Sequence, residues 1–310
     1  MKARTRARIN QARTCAGSVE MMKNHMKLRT ATGVILAALT LSAPAGQIAP
    51  FSDATLIPHV AASARETYGG AFLQSDPHRA FAIAPGGSWG WVSDKDNAEE
   101  AIAEALAACL KHSEIRCVTY AVDDRVVFDK KSWPTLWGPY KNKADAAKAA
   151  VGSKRGGRFY DLALFTAKGK EMKLSDWRGK VTVVHFWGSW CAPCRRELPD
   201  LQKLAAQFKD VADVAFVLLQ VRENGAAARQ WLTAQHLDLP LYDSGVKSGE
   251  DEFLKLAGGG RIKDRDIAAV FPTTYVLDKH GVVVFSHTGP ISDWRQYAPF
   301  LRDVAAGSGK

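Results

Sequence analysis

The stretch Val181-Thr182-Val183-Val184-His185-Phe186-Trp187-Gly188-Ser189-Trp190-Cys191-Ala192-Pro193-Cys194 decides the fold. Its first half is a continuous apolar run, the pattern of a strand buried on both faces. Its second half sets two thiols three positions apart where the strand gives way to a helix predicted from Cys194 to Phe208, with Leu198, Leu201, Ala205 and Phe208 on one face. A cysteine at a helix N-terminus has its thiolate stabilised by unpaired backbone N–H groups and the helix dipole. The pair therefore suits reversible disulfide chemistry, with Cys191 as the attacking thiol and Cys194, one turn deeper, as the resolving one. Pro193 removes a backbone donor and restrains the turn.

Outward from this stretch, residues 158–310 alternate strands and helices. Phe159 to Leu164 and Lys170 to Leu174 read as strands around the turn Ala167-Lys168-Gly169, and Val214 to Leu219 as a second buried strand. Gly225 to His236 reads as a helix capped by Asn224, Leu239 to Tyr242 as a short strand, and Glu250 to Ala257 as a helix ended by Gly258-Gly259-Gly260. Thr273 to Leu277 and Val282 to Phe285 form a hairpin before a closing helix from Asp293 to Val304. The fold class expected is α/β, a mixed sheet covered by helices on both faces.

Three segments carry a family resemblance: Leu174-Ser175-Asp176-Trp177-Arg178-Gly179-Lys180, the run Trp190 to Pro199, and Phe271-Pro272-Thr273-Thr274-Tyr275-Val276-Leu277-Asp278. Together, in this order, they resemble TlpA-like members of the thioredoxin superfamily. The resemblance implies a thioredoxin-like fold and a cis peptide bond before Pro272, which would lie against the cysteines and leave the Phe271 backbone free to pair with an extended substrate. Trp190, Phe271 and Thr273 are then expected at the substrate surface, with Trp187 shielding the site. The resemblance also implicates Glu197 in proton handling near the thiols. Spacing puts Glu197 on the face of Cys194, and a solvated first-turn glutamate is the competing reading. His185 reads as a satisfied core residue, and Arg195 and Arg196 as surface charges. The insertion from Gly258 to Val270 is basic, Gly-rich and longer than the family's usual connection, which bears on partner choice.

Residues 67–128 read as a small α+β domain: strands Ala80 to Ala84 and Trp89 to Val92, a helix from Asn97 to His112, and a hairpin from Cys117 to Phe128. This part resembles small secreted bacterial domains of unknown function, a resemblance that brings no catalytic residues. Trp89 and Trp91 read as packing aromatics in preference to a ligand platform. Residues 129–157 read as a basic linker with a helix from Ala144 to Val151.

The net charge of +10 is suggestive of nucleic acid until it is located. Residues 1–45 carry eight basic side chains against Glu20 alone, +7 of the total, so no nucleic-acid partner is indicated. Lys23, Lys27 and Arg29, the apolar stretch Ala31 to Leu41 and the small-x-small site Ala43-Pro44-Ala45 read as a secretory signal, with residues 1–20 as a start-site overcall. An uncleaved signal would tether the chain to the inner membrane. Cys15 precedes the apolar stretch, leaving Cys109, Cys117, Cys191 and Cys194, and proximity in an oxidising compartment favours a structural Cys109–Cys117 disulfide beside the working pair.

The function expected is that of an exported, periplasmic thiol-disulfide oxidoreductase acting on protein thiols and disulfides, with no cofactor beyond the Cys191–Cys194 disulfide and no metal. The resemblance implies the reducing direction, for example in cytochrome c or copper-site maturation, with electrons from a membrane thiol donor. Other readings stay open: a disulfide oxidant or isomerase, a metal-binding or copper-delivery protein using the same cysteines, and a thioredoxin part that merely positions the N-terminal domain.

Overall fold

The computed structural model describes residues 50–113 and 115–308, so the targeting segment expected over 1–45 lies outside the described residues. After α1 (Ala62–Thr67), strands β1 (Ala80–Ile83), β2 (Trp89–Val92), β3 (Val118–Val122) and β4 (Arg125–Val126) form an antiparallel sheet in the order β2-β1-β3-β4. Helix α2 (Ala98–Leu110) starts at Asn97, whose side chain accepts from the Glu100 N–H. It lies close on one face of the sheet because both surfaces are small there: Ala80, Ala82 and Ala84 meet Ala101, Ala105 and Cys109. Gly90 permits the approach, since a Cβ would sit 2.8 Å from the Ala108 carbonyl carbon. A Cys109–Cys117 disulfide ties the end of α2 to the start of β3. The two tryptophans of β2 pack, Trp89 stacking on Phe81 and Trp91 edge-on to Phe72.

After α3 (Lys143–Lys148) and the hairpin β5 (Ala163–Phe165) and β6 (Glu171–Lys173), the second sheet begins. Its members are β7 (Val181–Trp187), β8 (Val214–Gln220), β9 (Leu241–Tyr242), β12 (Thr273–Leu277) and β13 (Val283–Thr288). The order is β13-β12-β7-β8-β9, with β7, β8 and β9 parallel and β12 antiparallel to both neighbours. Every residue of the central strand β7 is buried, as its unbroken apolar run requires. Helices α4 (Ala192–Ala206), α5 (Gly225–Ala234) and α7 (Ala298–Gly307) flank this thioredoxin-like sheet.

Two expectations need correction. The segment read as a helix from Glu250 to Ala257 forms strand β10 (Phe253–Lys255), paired with β11 (Arg261–Lys263) and followed by the short α6 (Asp264–Ile267). Leu254 points in opposite Ile262 while Lys255 points out, a period of two, and Gly258 to Gly260 make the turn. The stretch 129–157, read as a solvated connection, is packed into the protein. Trp133, Leu136 and Trp137 are buried, the Trp137 indole N–H donates to Asp303 (2.9 Å), and its ring meets Phe300 at 4.7 Å. Gly138 and Gly156 donate backbone N–H groups to Val284 and Val283 of β13. The closing helix is preceded by a 3₁₀ turn (Trp294–Tyr297), where His59 stacks on Tyr297 at 4.4 Å. The described residues consequently form one compact unit with a hydrophobic core running from Ile57 to Val304.

Candidate active site

Strand β7 ends at Trp187, and the chain turns through Gly188-Ser189-Trp190 into α4. Two clamps hold this turn. Ser189 donates its N–H and hydroxyl to the Glu223 carboxylate, and the Trp190 indole N–H donates to the Val221 carbonyl at 3.0 Å. Gly188 lies under the Trp190 ring, where a Cβ would collide with the indole. Trp190 is left 48% exposed beside the cysteines.

Cys191 is the N-cap of α4, so the helix begins one residue after it, earlier than the predicted start at Cys194. Pro193 lies in the first turn, where its missing N–H costs nothing. Cys191 and Cys194 are joined as a disulfide, and the Cys194 N–H points at Cys191 Sγ from 3.2 Å. The two sulfurs differ in access, Cys191 being 5% exposed and Cys194 fully buried. In the dithiol the outer sulfur therefore has both the helix-terminal donor and the path to a partner.

The Phe271–Pro272 peptide is cis, and the Phe271 carbonyl oxygen lies 3.6 Å from Cys191 Sγ. Trp190 meets the Phe271 ring edge-on at 5.8 Å, and Arg265 of the insertion lies over the same ring at 4.8 Å. Arg222 anchors the insertion through a two-pronged bond to the buried Asp264 and a contact with Glu252. Trp190 and Phe271 thus sit at the cysteines. Thr273 is different: it is buried and its hydroxyl donates to the Val270 carbonyl, so it braces the loop and presents no surface.

Glu197 is buried on α4, one turn beyond Cys194, which excludes the solvated first-turn reading. Its Oε2 accepts from the Ile291 N–H (2.7 Å) and the Trp294 indole (3.2 Å). Burial outweighs these bonds and pushes its pKa up to about 8. Its Oε1 faces His185 Nε2 at 3.4 Å, while His185 Nδ1 lies 2.9 Å from the Thr274 hydroxyl. Burial also drives the imidazole pKa down to about 3, so the contact joins two neutral groups at neutral pH and is no ion pair there. Sequence reading set His185 aside. The one available signal was parity: His185 pairs with Thr274 in the sheet, two residues after Pro272. Glu223 gave no signal either, since its partner Ser189 lies 34 positions earlier in the chain. Arg195 and Arg196 are exposed. A cavity of about 590 Å³ lies elsewhere, lined by His59, Trp89, Trp91, His112, His287 and Tyr297 among others, with no cysteine in its wall.

A family model described as Redoxin matches residues 143–298. Thioredoxin-like protein YneN of Bacillus subtilis is 28% identical over 159 residues, 51% of this chain and 84% of that one. Thiol-disulfide oxidoreductase ResA of Geobacillus kaustophilus is 31% identical over 132 residues, 43% of this chain and 68% of that one. A solved thiol:disulfide interchange protein from Chlorobium tepidum aligns with a TM-score of 0.37 at 22% identity, covering 49% of this chain and 98% of its own.

Proposed function

The chain belongs to the Redoxin family and is a thiol-disulfide oxidoreductase, and on that premise we propose that it reduces disulfides of other proteins outside the cytoplasm. The observation that carries the exchange chemistry of this reading is the asymmetry of the cysteine pair. Cys191 is the accessible sulfur at a helix N-cap, under the Cys194 N–H, while Cys194 is sealed one turn deeper.

In this reading the Cys191 thiolate attacks one sulfur of the substrate disulfide and expels the other as a thiolate. In molecules whose Glu197 carboxyl is charged, a fraction that grows as pH rises toward about 8, Cys194 then gives its proton to that carboxylate and attacks Cys191, releasing the second substrate thiolate, which takes that proton. Two electrons pass from the dithiol to the substrate and the enzyme is left as the disulfide. Pro272 and the Phe271 backbone form the wall against which an extended substrate segment lies, with Trp190 as its apolar rim. Thr273 supports that wall from within.

The reducing direction follows the TlpA-like resemblance, with haem-attachment cysteines of cytochrome c or copper-site thiols as substrates and a membrane thiol carrier as donor. Export is supported by the signal-like segment ending at Ala45 and by the Cys109–Cys117 disulfide, since structural disulfides persist in oxidising compartments.

The test is a trap. Cys194→Ser should accumulate mixed disulfides on Cys191 that reductant releases and mass spectrometry identifies, while Cys191→Ser accumulates none. A measured potential near that of thioredoxin, about −270 mV, agrees with a reductase. One near about −120 mV would reverse the direction proposed.

A further inference from the structure

Two polar atoms at the interface of β7 and α4 are buried without a hydrogen-bond partner: His185 Nε2 and Glu197 Oε1. They face each other at 3.4 Å, beyond the usual 2.7–3.2 Å of an N–H···O bond. Buried polar groups are almost always paired, so two orphans pointing at one another call for a reason. Their remaining atoms are committed. Glu197 Oε2 already holds the Ile291 N–H and the Trp294 indole, and His185 Nδ1 is matched by the Thr274 hydroxyl.

The structure holds the disulfide, a state in which no thiol proton needs an acceptor. Glu197 is then neutral and asks little of Oε1. A charged carboxylate asks for more donors. The Thr274 hydroxyl can donate as well as accept, which leaves the imidazole free to carry its proton on Nε2 and to donate that proton to Oε1. A shift of a few tenths of an ångström would complete the bond and give the carboxylate three donors.

We infer that His185 is a positioning residue of the resolving step, its Nε2–H closing onto Glu197 Oε1 when that carboxyl is charged, so that the acceptor of the Cys194 proton is stabilised in the state that accepts. The inference deepens the proposed reading and rests on Glu197 as that acceptor. His185 keeps its own proton throughout. The S–H bond of Cys194 breaks, its proton passes to the carboxylate, the new thiolate forms a bond to Cys191, and the departing substrate thiolate takes the proton. The neutral carboxyl predominates below its pKa of about 8, so a bond made only in the charged state raises the fraction of molecules able to accept the Cys194 proton. On α4, Cys194 precedes Glu197 by one turn, and the 3₁₀ turn brings Tyr297, whose phenol is pushed above its ordinary range by burial and by Glu197. The other polar neighbours, Thr274 and Trp294, do not titrate.

The experiment loads Cys191 with 5-thio-2-nitrobenzoate and follows release of the coloured thiolate as Cys194 attacks, from pH 5.5 to 9.5. A hydrogen bond to a buried charge is worth about tenfold or more in an equilibrium constant. His185→Phe should therefore slow release at pH 7 by about tenfold and move the inflection upward by about one pH unit. His185→Gln, whose amide can donate, should recover the rate to within about threefold. An unshifted profile in His185→Phe, or a His185→Gln as slow as His185→Phe, overturns the inference. Glu197→Gln separates the two levels. If it removes the inflection while His185→Phe leaves it in place, the inference fails alone; if it changes neither rate nor profile, the acceptor reading fails and takes the inference with it. Nitrogen-15 spectra of the unmutated reduced protein give a check free of folding effects. The His185 ring should carry its proton on Nε2 above the inflection, and a ring protonated on Nδ1 throughout overturns the inference.

Discussion

Replacing Glu197 by Gln in the disulfide form should remove a specific pH dependence of stability. The side chains are nearly equal in size, and the amide oxygen can still accept from the Ile291 N–H and the Trp294 indole. The difference is the proton. Burial holds the wild-type carboxyl near pKa 8 against an ordinary 4.5, so its stabilising contribution is full below pH 4.5 and is lost as pH rises through 8. Over the whole window this amounts to on the order of 5 kcal/mol. His185 and His59 act in the opposite sense, being held near pKa 3, and their contributions are lost only as pH falls below 6.5. Between pH 6.5 and 8 the glutamate is therefore isolated. There the wild type should lose about 2 kcal/mol relative to the variant, a fall of about 4–8 °C in relative Tm for a unit of this size. Calorimetry of both oxidised proteins at half-unit intervals reads this directly, with no free thiol at the active pair to confuse the titration. Parallel curves across pH 6.5–8 would refute the account, because they would mean that the buried carboxyl binds no more protons than it does in the unfolded chain.

Two further outcomes are expected. Replacing Cys109 and Cys117 together by Ala opens a bridge spanning eight positions; chain entropy puts the cost at about 2.5 kcal/mol, read as a lower Tm with reduction of a small disulfide unchanged. Gly188→Ala drives a methyl group into the Trp190 indole; it should shift tryptophan fluorescence and slow reduction of a protein disulfide by about tenfold or more, because the rim beside Cys191 is displaced. A crystal or solution structure with Trp190 unmoved would contradict the second.

The parts of the fold legible in the sequence are those where one pattern has one meaning. A seven-residue apolar run bounded by turns is a buried strand, and β7 and β8 lie where that rule puts them. Asn97 and Asn224 mark helix starts because a side-chain oxygen three residues before a free N–H is a local device. Glu250 to Ala257 misled because so short a run supports either period, and the deciding fact is non-local: Leu256 bridges to Leu162, nearly a hundred residues earlier. The stretch 129–157 misled for a related reason. Its prolines, glycines and lysines describe a loop, but Trp133, Leu136 and Trp137 were the signal that the loop is buried. At the active site the motif supplied Cys191, Cys194, Pro272 and Glu197. It could not supply His185 or Glu223, whose partners are brought to them by sheet register and by the loop after β8.

The seam between the two halves also governs when the protein can be finished. The Val60 carbonyl is held by Gln296, 236 positions away, His59 rests on Tyr297, and Trp137 needs Phe300 and Asp303. A chain emerging from its N-terminus cannot complete its first part in isolation, because the surfaces that close that part are made last. Synthesis that stops before Gln296 leaves an uncovered aromatic face in the part made first, so an incomplete chain advertises itself to proteases even though its cysteine motif has been made.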